Sequence, residues 1–411
     1  MIELCVCDYQ IEWIECRSRR QGWFTGRRVG KTDGFFNRVI ERCQTNNDFK
    51  YTYIGPSYEL PKTQYDRILA SCPDLIKRSS QHPVPNIEFW TGSRIKFRSF
   101  DNPNLLRGPG EDEIFVDEIQ NSKYKEDIFN SVVPPIVSDR LGTIIVAGQF
   151  RGENWYWKEY YQKGQIPGGQ TVNGVTNPLR SGVPLYKSWK IPSSRGIRFQ
   201  SPEGKQELED QKASMPRAQW LQEYDCESLA NQASVFLPED LAACKCGAVI
   251  DKPRKDHQYI IGYDLGEMAD PSAFVVLELP TWLICQTGII PLRTKHAVQA
   301  EKLRLLAAHW RATVVLDATG GAQGGRGTSD ENVRFYRNRV PGARFYFWVQ
   351  KFKQEMVRGL SLSVENHVLQ IPGELKELHE ELSAYEFEHK GGDLYDYHGP
   401  AGRRDNLVAS L

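Results

Sequence analysis

The sequence predicts two α/β domains in tandem, and three observations carry that expectation. At 411 residues the chain exceeds what one ordinary core organises, so two domains of roughly 200 residues each are the natural division. Apolar, strand-like runs alternate with helical or irregular stretches in two separate regions, as parallel sheets with crossover connections require. Between those regions, residues 201–256 are rich in Glu, Gln, Lys and Ala and carry Pro216, Pro238 and Pro253, which reads as short helices in a connector. The expected organisation is therefore 1–200, a connector 201–256, and 257–411.

Composition narrows the class. Hydrophobic residues make up 40% and charged residues 25%, ordinary globular values, and no run of about 18 apolar residues is present to cross a bilayer, so no membrane partner is expected. The first residues carry Glu3 and no long apolar run, unlike a secretory signal, which points to an intracellular site. Nine scattered cysteines, an odd number, argue for reduced thiols rather than a disulfide framework. Cys5/Cys7 and Cys244/Cys246 are separated by one residue, not the two usual in structural zinc sites, so buried thiols are expected even with His257 downstream. Net charge is zero; any grip on nucleic acid would have to come from basic residues gathered in one channel.

In the first region Gly22-Trp23-Phe24 reads as a weak strand. It leads into Thr25-Gly26-Arg27-Arg28-Val29-Gly30-Lys31-Thr32 and a helix from near Gly34. This is the Gly-Lys-Thr end of a phosphate-binding loop. Backbone N–H groups around Gly26, Arg28 and Gly30 would cradle phosphates, Lys31 would reach the β and γ oxygens, and the Thr32 hydroxyl would ligate magnesium. A strand at Tyr51–Ile54 follows, then Ile87–Trp90 and Ile95–Phe97 flanking Thr91-Gly92-Ser93 as a hairpin.

Ile114-Phe115-Val116 is an apolar strand ending in Asp117 and Glu118. Alone, such paired acids are commonly a solvated loop. After a Gly-Lys-Thr loop they read as the magnesium ligand (Asp117) and the residue that orients and deprotonates water (Glu118), which makes the region a P-loop NTPase sheet of the ASCE type using ATP with Mg²⁺. The strand Thr143–Gly148 ends in Gln149–Asn154, either a γ-phosphate sensor or an ordinary strand end. Arg27, Arg28 and Arg107 are the arginines placed to meet charge on the γ-phosphoryl group, against the usual solvated fate of an arginine.

In the second region, runs at Tyr259–Tyr263, Ala273–Leu279 and Thr313–Leu316 read as strands, and Ala297–Trp310 as a helix. Asp264 and Asp317 each close a strand, and Asp405 opens the last amphipathic segment, Asn406–Leu411. Three carboxylates from two strands and a helix N-terminus suit two Mg²⁺ or Mn²⁺ ions, which clamp both oxygens of a phosphodiester displacement; that is nuclease chemistry. Asp270 either assists this cluster or caps the turn before Pro271. The run Gly320–Gly327 lacks the lysine and hydroxyl of a phosphate loop and reads as a flexible loop beside Asp317, touching DNA through Arg326. Leu375, Leu378 and Leu382 recur at helical spacing as a core-facing helix with Glu377, Glu380 and Glu381 on its polar face. Trp155, Trp157 and Trp348 are expected in the core.

The order and spacing of these motifs resemble the terminase large subunit of tailed bacteriophages over nearly the whole chain. Gly-Arg-Arg-Val-Gly-Lys-Thr is similar to that family's variant loop, in which the first glycine is often absent and an arginine stands at the position of Arg27. Leu106-Arg107-Gly108 resembles the Arg-Gly before the family's acidic strand, where the arginine is a candidate finger acting in trans. Thr143–Gly152 with Asn154-Trp155-Tyr156 resembles the coupling motif, with Ala147-Gly148-Gln149 in place of Ser-Thr-Pro. Trp220-Leu221-Gln222-Glu223-Tyr224 followed by Val235-Phe236 looks like the linker signature. Asp264, Asp317 and Asp405 match the three acids of an RNase H-like nuclease, and Asn406 stands where the family often has a second aspartate.

The resemblance implies an RNase H-like nuclease domain after the ATPase, and a ring on the portal protein that drives double-stranded DNA into a procapsid and cleaves concatemers, with a small subunit choosing the site. It also implies a place in the host cytoplasm and transiently at the portal vertex, but not in the mature virion. Two other readings stand beside it: a nucleic-acid translocase or helicase whose RNase H-like domain is inactive, and a structural protein whose loop binds nucleotide only for stability.

Overall fold

In the structure, a computed structural model, the chain forms two compact units: Met1–Ala213 with Trp220–Gln232, and Ser214–Gln219 with Ala233–Leu411. Residues 201–256 are thereby divided between the units. All residues are described except 1–6, 109, 122, 229–233, 267–269, 318–325, 347–349, 392–393 and 401–403.

The first unit is built on β1 (Arg20–Thr25), β2 (Lys50–Gly55), β3 (Ile76–Ser80), β4 (Asn86–Phe89), β5 (Arg94–Ser99), β6 (Glu113–Val116) and β7 (Thr143–Gly148). Two small hairpins, β8 (Gln170–Val172) with β9 (Val175–Asn177) and β10 (Leu179–Arg180) with β11 (Val183–Pro184), precede β12 (Tyr186–Ile191). The main sheet runs β12-β1-β7-β6-β2-β5-β4-β3. It is parallel from β12 to β5, and β4 and β3 add antiparallel.

Successive side chains of these strands enter opposite faces, and both faces are apolar: Trp23, Tyr53 and Phe115 pack on one side, Phe24, Ile54, Val116 and Ile144 on the other. One strand, β7, separates the loop strand β1 from the acid-bearing strand β6. Because all three are parallel, the loops that follow them open at the same edge of the sheet, which is the P-loop NTPase arrangement of the ASCE type.

Two local expectations are corrected. Gly22-Trp23-Phe24 lies in a full, buried strand paired on both sides; a Cβ at Gly22 would come within 2.5 Å of the Phe24 ring, so the glycine makes room for that ring. The helix after the loop begins at Lys31, not near Gly34, because Gly30 at φ +88° turns the chain directly into it.

In the second unit, β13 (Lys245–Cys246) later pairs with β19 (Ile371–Pro372). The main sheet comprises β14 (Gln258–Asp264), β15 (Ser272–Leu279), β16 (Leu283–Ile290), β17 (Thr313–Asp317) and β18 (Arg344–Tyr346), and β20 (Glu386–Gly391) with β21 (Leu394–His398) forms a late hairpin. The sheet order is β16-β15-β14-β17-β18, antiparallel through the first three and parallel through the last three. This is the RNase H-like order. One face packs Tyr259, Ile261 and Tyr263 against Leu303 and Trp310 of the helix His296–Trp310. The other packs Ala273 and Val275 against Leu378 and Leu382 of the helix Lys376–Ala384 and Leu407 of the closing helix Asn406–Ser410. That closing helix lies so close to β14 that a Cβ at Gly262 would meet the Ser410 carbonyl at 1.8 Å; only glycine permits the approach.

Cys43, Cys72, Cys226, Cys244 and Cys285 are buried thiols, and Cys246 is half-buried. Trp155 and Trp157 pack partly buried at the edge of the first unit's core; Trp348 lies outside the described residues.

Candidate nucleotide and metal sites

At the shared edge of the first sheet, the phosphate-binding loop meets the acids that end β6. Lys31, the first residue of its helix, places Nζ 2.8 Å from Asp117 Oδ1 and also bonds Glu118. Burial alone would push the Lys31 ammonium down, but the two carboxylates outweigh it and hold its pKa above the ordinary lysine value. Glu118 shows the converse: burial would raise its pKa, yet the Lys31 charge and the hydrogen bonds from Lys31 and Gln120 hold it low. Its backbone sits at φ +52°, a sparsely populated conformation for a glutamate, maintained where the strand turns into the site. Thr32 follows Lys31, half-buried in the first helical turn.

The loop itself is anion-shaped. Gly30 at φ +88° and Arg28 at φ +59° curl the backbone over the helix N-terminus, and Gly26 is backed so closely by the Tyr224 carbonyl that a Cβ would lie 2.2 Å from it. With Lys31 inside and backbone N–H groups at a helix start, the residues fit a polyphosphate and its magnesium ion.

Several side chains absent from the motif reading complete the site. Tyr53 donates to Asp117 Oδ2 at 2.6 Å, and Gln120 donates to Glu118. From the helix Asp8–Glu15, Gln10 donates to the Gly30 carbonyl at 2.8 Å and Tyr9 to the Val29 carbonyl at 2.7 Å, bracing the loop from outside. Arg27 is held by Glu223. Gln149, expected as a sensor or a plain strand end, takes its backbone N–H to Gln120 Oε1 at 3.1 Å and so touches the side chain that holds Glu118. Arg28 and Arg107 are exposed; among the described residues no hydrogen bond or ion pair holds the Arg107 guanidinium.

In the second unit Asp264 and Asp317 end the neighbouring parallel strands β14 and β17, and Asp405 stands immediately before the closing helix. Asp405 does not cap that helix with its side chain; its Oδ2 accepts the Gly399 N–H at 3.0 Å. The helix start is held instead by Glu381, whose Oε2 accepts the N–H groups of Leu407 at 2.8 Å and Val408 at 3.3 Å. In the sequence Glu381 falls on the polar face of its helix with nothing to mark this contact. Asn406 donates from Nδ2 to Asp264 Oδ2 at 3.0 Å. Tyr346, opposite Asp317 in the β17–β18 register, has its phenol pushed up by burial and then by the Asp317 and Asp264 charges.

Burial, and then the charges of Asp317, Asp405 and Asp270, push the Asp264 carboxyl up to about 7 against the hydrogen bond from Asn406. The four acids are thus electrostatic neighbours, with Asp270 exposed at the rim. Among the described residues no three His, Cys, Asp or Glu side chains stand close enough to hold one ion, so the acids converge without closing on a common point. The donor set, carboxylate oxygens in mutual repulsion, fits a hard divalent cation. The run Gly320–Gly325 lies outside the described residues; Arg326 begins the helix Arg326–Arg339.

No protein-family model matches the chain. The terminase large subunit of Thermus phage G20c is 23% identical over 406 residues, covering 96% of this chain and 78% of its own length. The terminase large subunit of Thermus virus P23-45 is 24% identical over 281 residues, 65% of this chain and 53% of its own. Among solved structures, the large terminase ATPase domain of Thermus phage P74-26 matches 55% of this chain and 94% of its own with a TM-score of 0.44 and 17% identity.

Proposed function

We propose that this chain, a relative of phage terminase large subunits along nearly its whole length, is the ATP-driven motor and nuclease of a viral DNA-packaging machine. It translocates double-stranded DNA into a procapsid and cuts concatemeric DNA with divalent metal. The observation that carries the reading is the bonding of one loop lysine, Lys31, to both strand-end acids, Asp117 and Glu118, in a chain that also brings Asp264 and Asp317 to adjacent strand ends.

In the motor unit, Gly26, Arg28, Gly30 and Lys31 bind the phosphates, and Thr32 and Asp117 hold the magnesium ion that travels with ATP and neutralises phosphate charge. Tyr53 fixes the Asp117 carboxylate and Gln120 that of Glu118. A bound polyphosphate competes for Lys31. As the ammonium moves onto phosphate oxygens, Glu118 loses its counter-ion and becomes the stronger base that water activation needs. Arg27 and Arg107 meet the charge on the γ-phosphoryl group, Arg107 from a neighbouring subunit of a ring.

In the nuclease unit, Asp264, Asp317 and Asp405, with Asp270 at the rim, hold two Mg²⁺ or Mn²⁺ ions, whose chemistry is activation of water and stabilisation of the leaving oxygen. Glu381 and Asn406 fix the positions of Asp405 and Asp264. The partners are DNA, the portal protein, a small subunit that selects the cutting site, and further copies of this chain. The place of work is the host cytoplasm and, transiently, the portal vertex, outside the mature virion.

The test is cleavage of supercoiled plasmid with Mn²⁺ by the wild type and by Asp317→Ala. Cleavage by the wild type alone is expected. No cleavage by well-folded wild type would move the second unit to an inactive RNase H-like domain on a translocase.

A further inference from the structure

One buried amide in the second unit meets both limbs of the turn between β14, which ends in Asp264, and β15, which begins two residues after Asp270. Gln299, 1% exposed, lies in the first turn of the helix His296–Trp310, whose other buried residues are Ala300, Leu303 and Trp310. Its Nε2 donates to the Gly266 carbonyl at 3.1 Å and to the Thr294 carbonyl at 2.7 Å. Its Oε1 accepts from the hydroxyls of Tyr263 at 2.7 Å, Ser272 at 2.8 Å and Tyr336 at 3.2 Å. Ser272 Oγ also accepts the Gly266 N–H at 2.9 Å and lies 2.7 Å from the Gly266 carbonyl. A Cβ at Gly266 would meet the Asp270 carbonyl at 2.2 Å, so the two limbs cross in direct backbone contact.

We infer that Gln299 is a positioning residue of the metal site: its amide ties both limbs of this turn to one helix and so fixes the Asp264 carboxylate relative to that of Asp270 for a divalent cation. The inference rests on the nuclease reading above and adds a residue to it. The anchors bracket the acids. Tyr263 and Gly266 stand on either side of Asp264, and Ser272 follows Asp270 by two residues. The orientation of the amide is dictated by its partners: two carbonyls can only accept, so the nitrogen faces them and the oxygen takes the hydroxyls. An ionised glutamate would lack the donors, and an apolar side chain would lack both donor and acceptor. Asp264 and Asp270 are electrostatic neighbours of like charge, and a turn free to move would open under their repulsion. Held by the amide, the two carboxylates stay near enough to attract the same cation, as outer partners of metal ligands do elsewhere.

Mn²⁺ affinity of the full chain, read by electron paramagnetic resonance well below the melting transition of each variant, separates this role from a structural one. Q299M keeps the length of the side chain and removes both its donor and its acceptor. It should weaken Mn²⁺ binding about tenfold, the usual worth of an outer partner of a metal ligand. The Mn²⁺ needed for half-maximal plasmid cleavage should rise by the same factor, and cleavage at saturating Mn²⁺ should stay within about threefold of wild type, because the acids themselves are intact. S272A removes one anchor and leaves the amide in place; it should weaken Mn²⁺ binding about threefold, as loss of one neutral hydrogen bond does, and carries the test if Q299M folds poorly. A residue that served the fold alone would lower the melting temperature and leave the affinity of the folded protein as it is. Wild-type Mn²⁺ affinity in well-folded Q299M or S272A, or a loss of cleavage that saturating Mn²⁺ does not restore, would overturn the inference alone. A wild type that binds Mn²⁺ no more tightly than D317A and cuts no plasmid would overturn the nuclease reading and this inference with it.

Discussion

Asp264→Asn should stabilise the metal-free protein at alkaline pH, and the size of the effect follows from the geometry. Burial and three neighbouring carboxylates push the Asp264 carboxyl from 3.8 to about 7. An acid whose folded-state pKa lies above its unfolded value binds its proton more tightly when folded. Its full contribution to stability is therefore present at low pH and is lost as pH rises from about 4 through about 7. Three units at about 1.4 kcal/mol each set a ceiling of about 4 kcal/mol. With Asp264 only partly closed off from water, about 2 kcal/mol is the more realistic loss. Asparagine keeps an acceptor for Asn406 Nδ2 and carries no charge. By differential scanning calorimetry in EDTA at pH 8, D264N should therefore melt about 4–8 °C above the wild type, at about 2–4 °C per kcal/mol for a unit of this size. At pH 5 the gap should shrink to less than half. Millimolar Mg²⁺ at pH 8 should raise the wild type and leave D264N nearly unmoved. An equal gap at both pH values, or a wild type that is the more stable at pH 8, would refute the claim that clustered negative charge strains this site.

Two further outcomes test the motor unit. Glu118→Gln should reduce ATP turnover by at least about 100-fold, the usual worth of a general base, while equilibrium binding of ATP survives; unchanged turnover would remove Glu118 from that role. Arg107→Ala should suppress the ATPase of portal-assembled rings by up to about 1000-fold, as loss of an arginine finger does, and that of monomers far less; equal loss in both would remove its action in trans.

What the sequence disclosed follows from how local each signal is. The Gly-Lys-Thr loop and the Asp117-Glu118 pair are legible because phosphate and magnesium chemistry needs adjacent residues at a turn. Asp264 and Asp317 are legible because each closes an apolar run, and parallel strands bring such ends to one edge. The strand at Gly22-Trp23-Phe24 was undervalued because a glycine lowers strand propensity locally, whereas in the sheet the Phe24 ring occupies the space a side chain would take. The contacts of Glu223, Gln10 and Glu381 are not legible in the sequence, and Asn406 is placed beside the acids only by the family resemblance. Their partners lie 196, 20, 26 and 142 residues away, and helical periodicity tells which face is polar without telling which polar side chain meets another element.

The two sites answer one electrostatic problem in opposite ways. Each gathers carboxylates at the ends of sheet strands, where partial burial makes their charge expensive. At Asp117 and Glu118 the compensation is resident: Lys31 pairs with both, and against burial its charge holds the Glu118 carboxyl below the ordinary glutamate range. A bound polyphosphate, as proposed, would compete for that lysine and so raise the basicity of Glu118. At Asp264 no cation pairs with the carboxyl among the described residues. Its hydrogen-bond partner is the neutral Asn406 amide, and a proton carries the compensation up to about pH 7. A divalent ion held there, as proposed, would have to displace that proton, so its binding should strengthen as pH rises through about 7 and weaken in acid. On the proposed function, the first site would exchange a carboxylate for a phosphate and the second a proton for a metal.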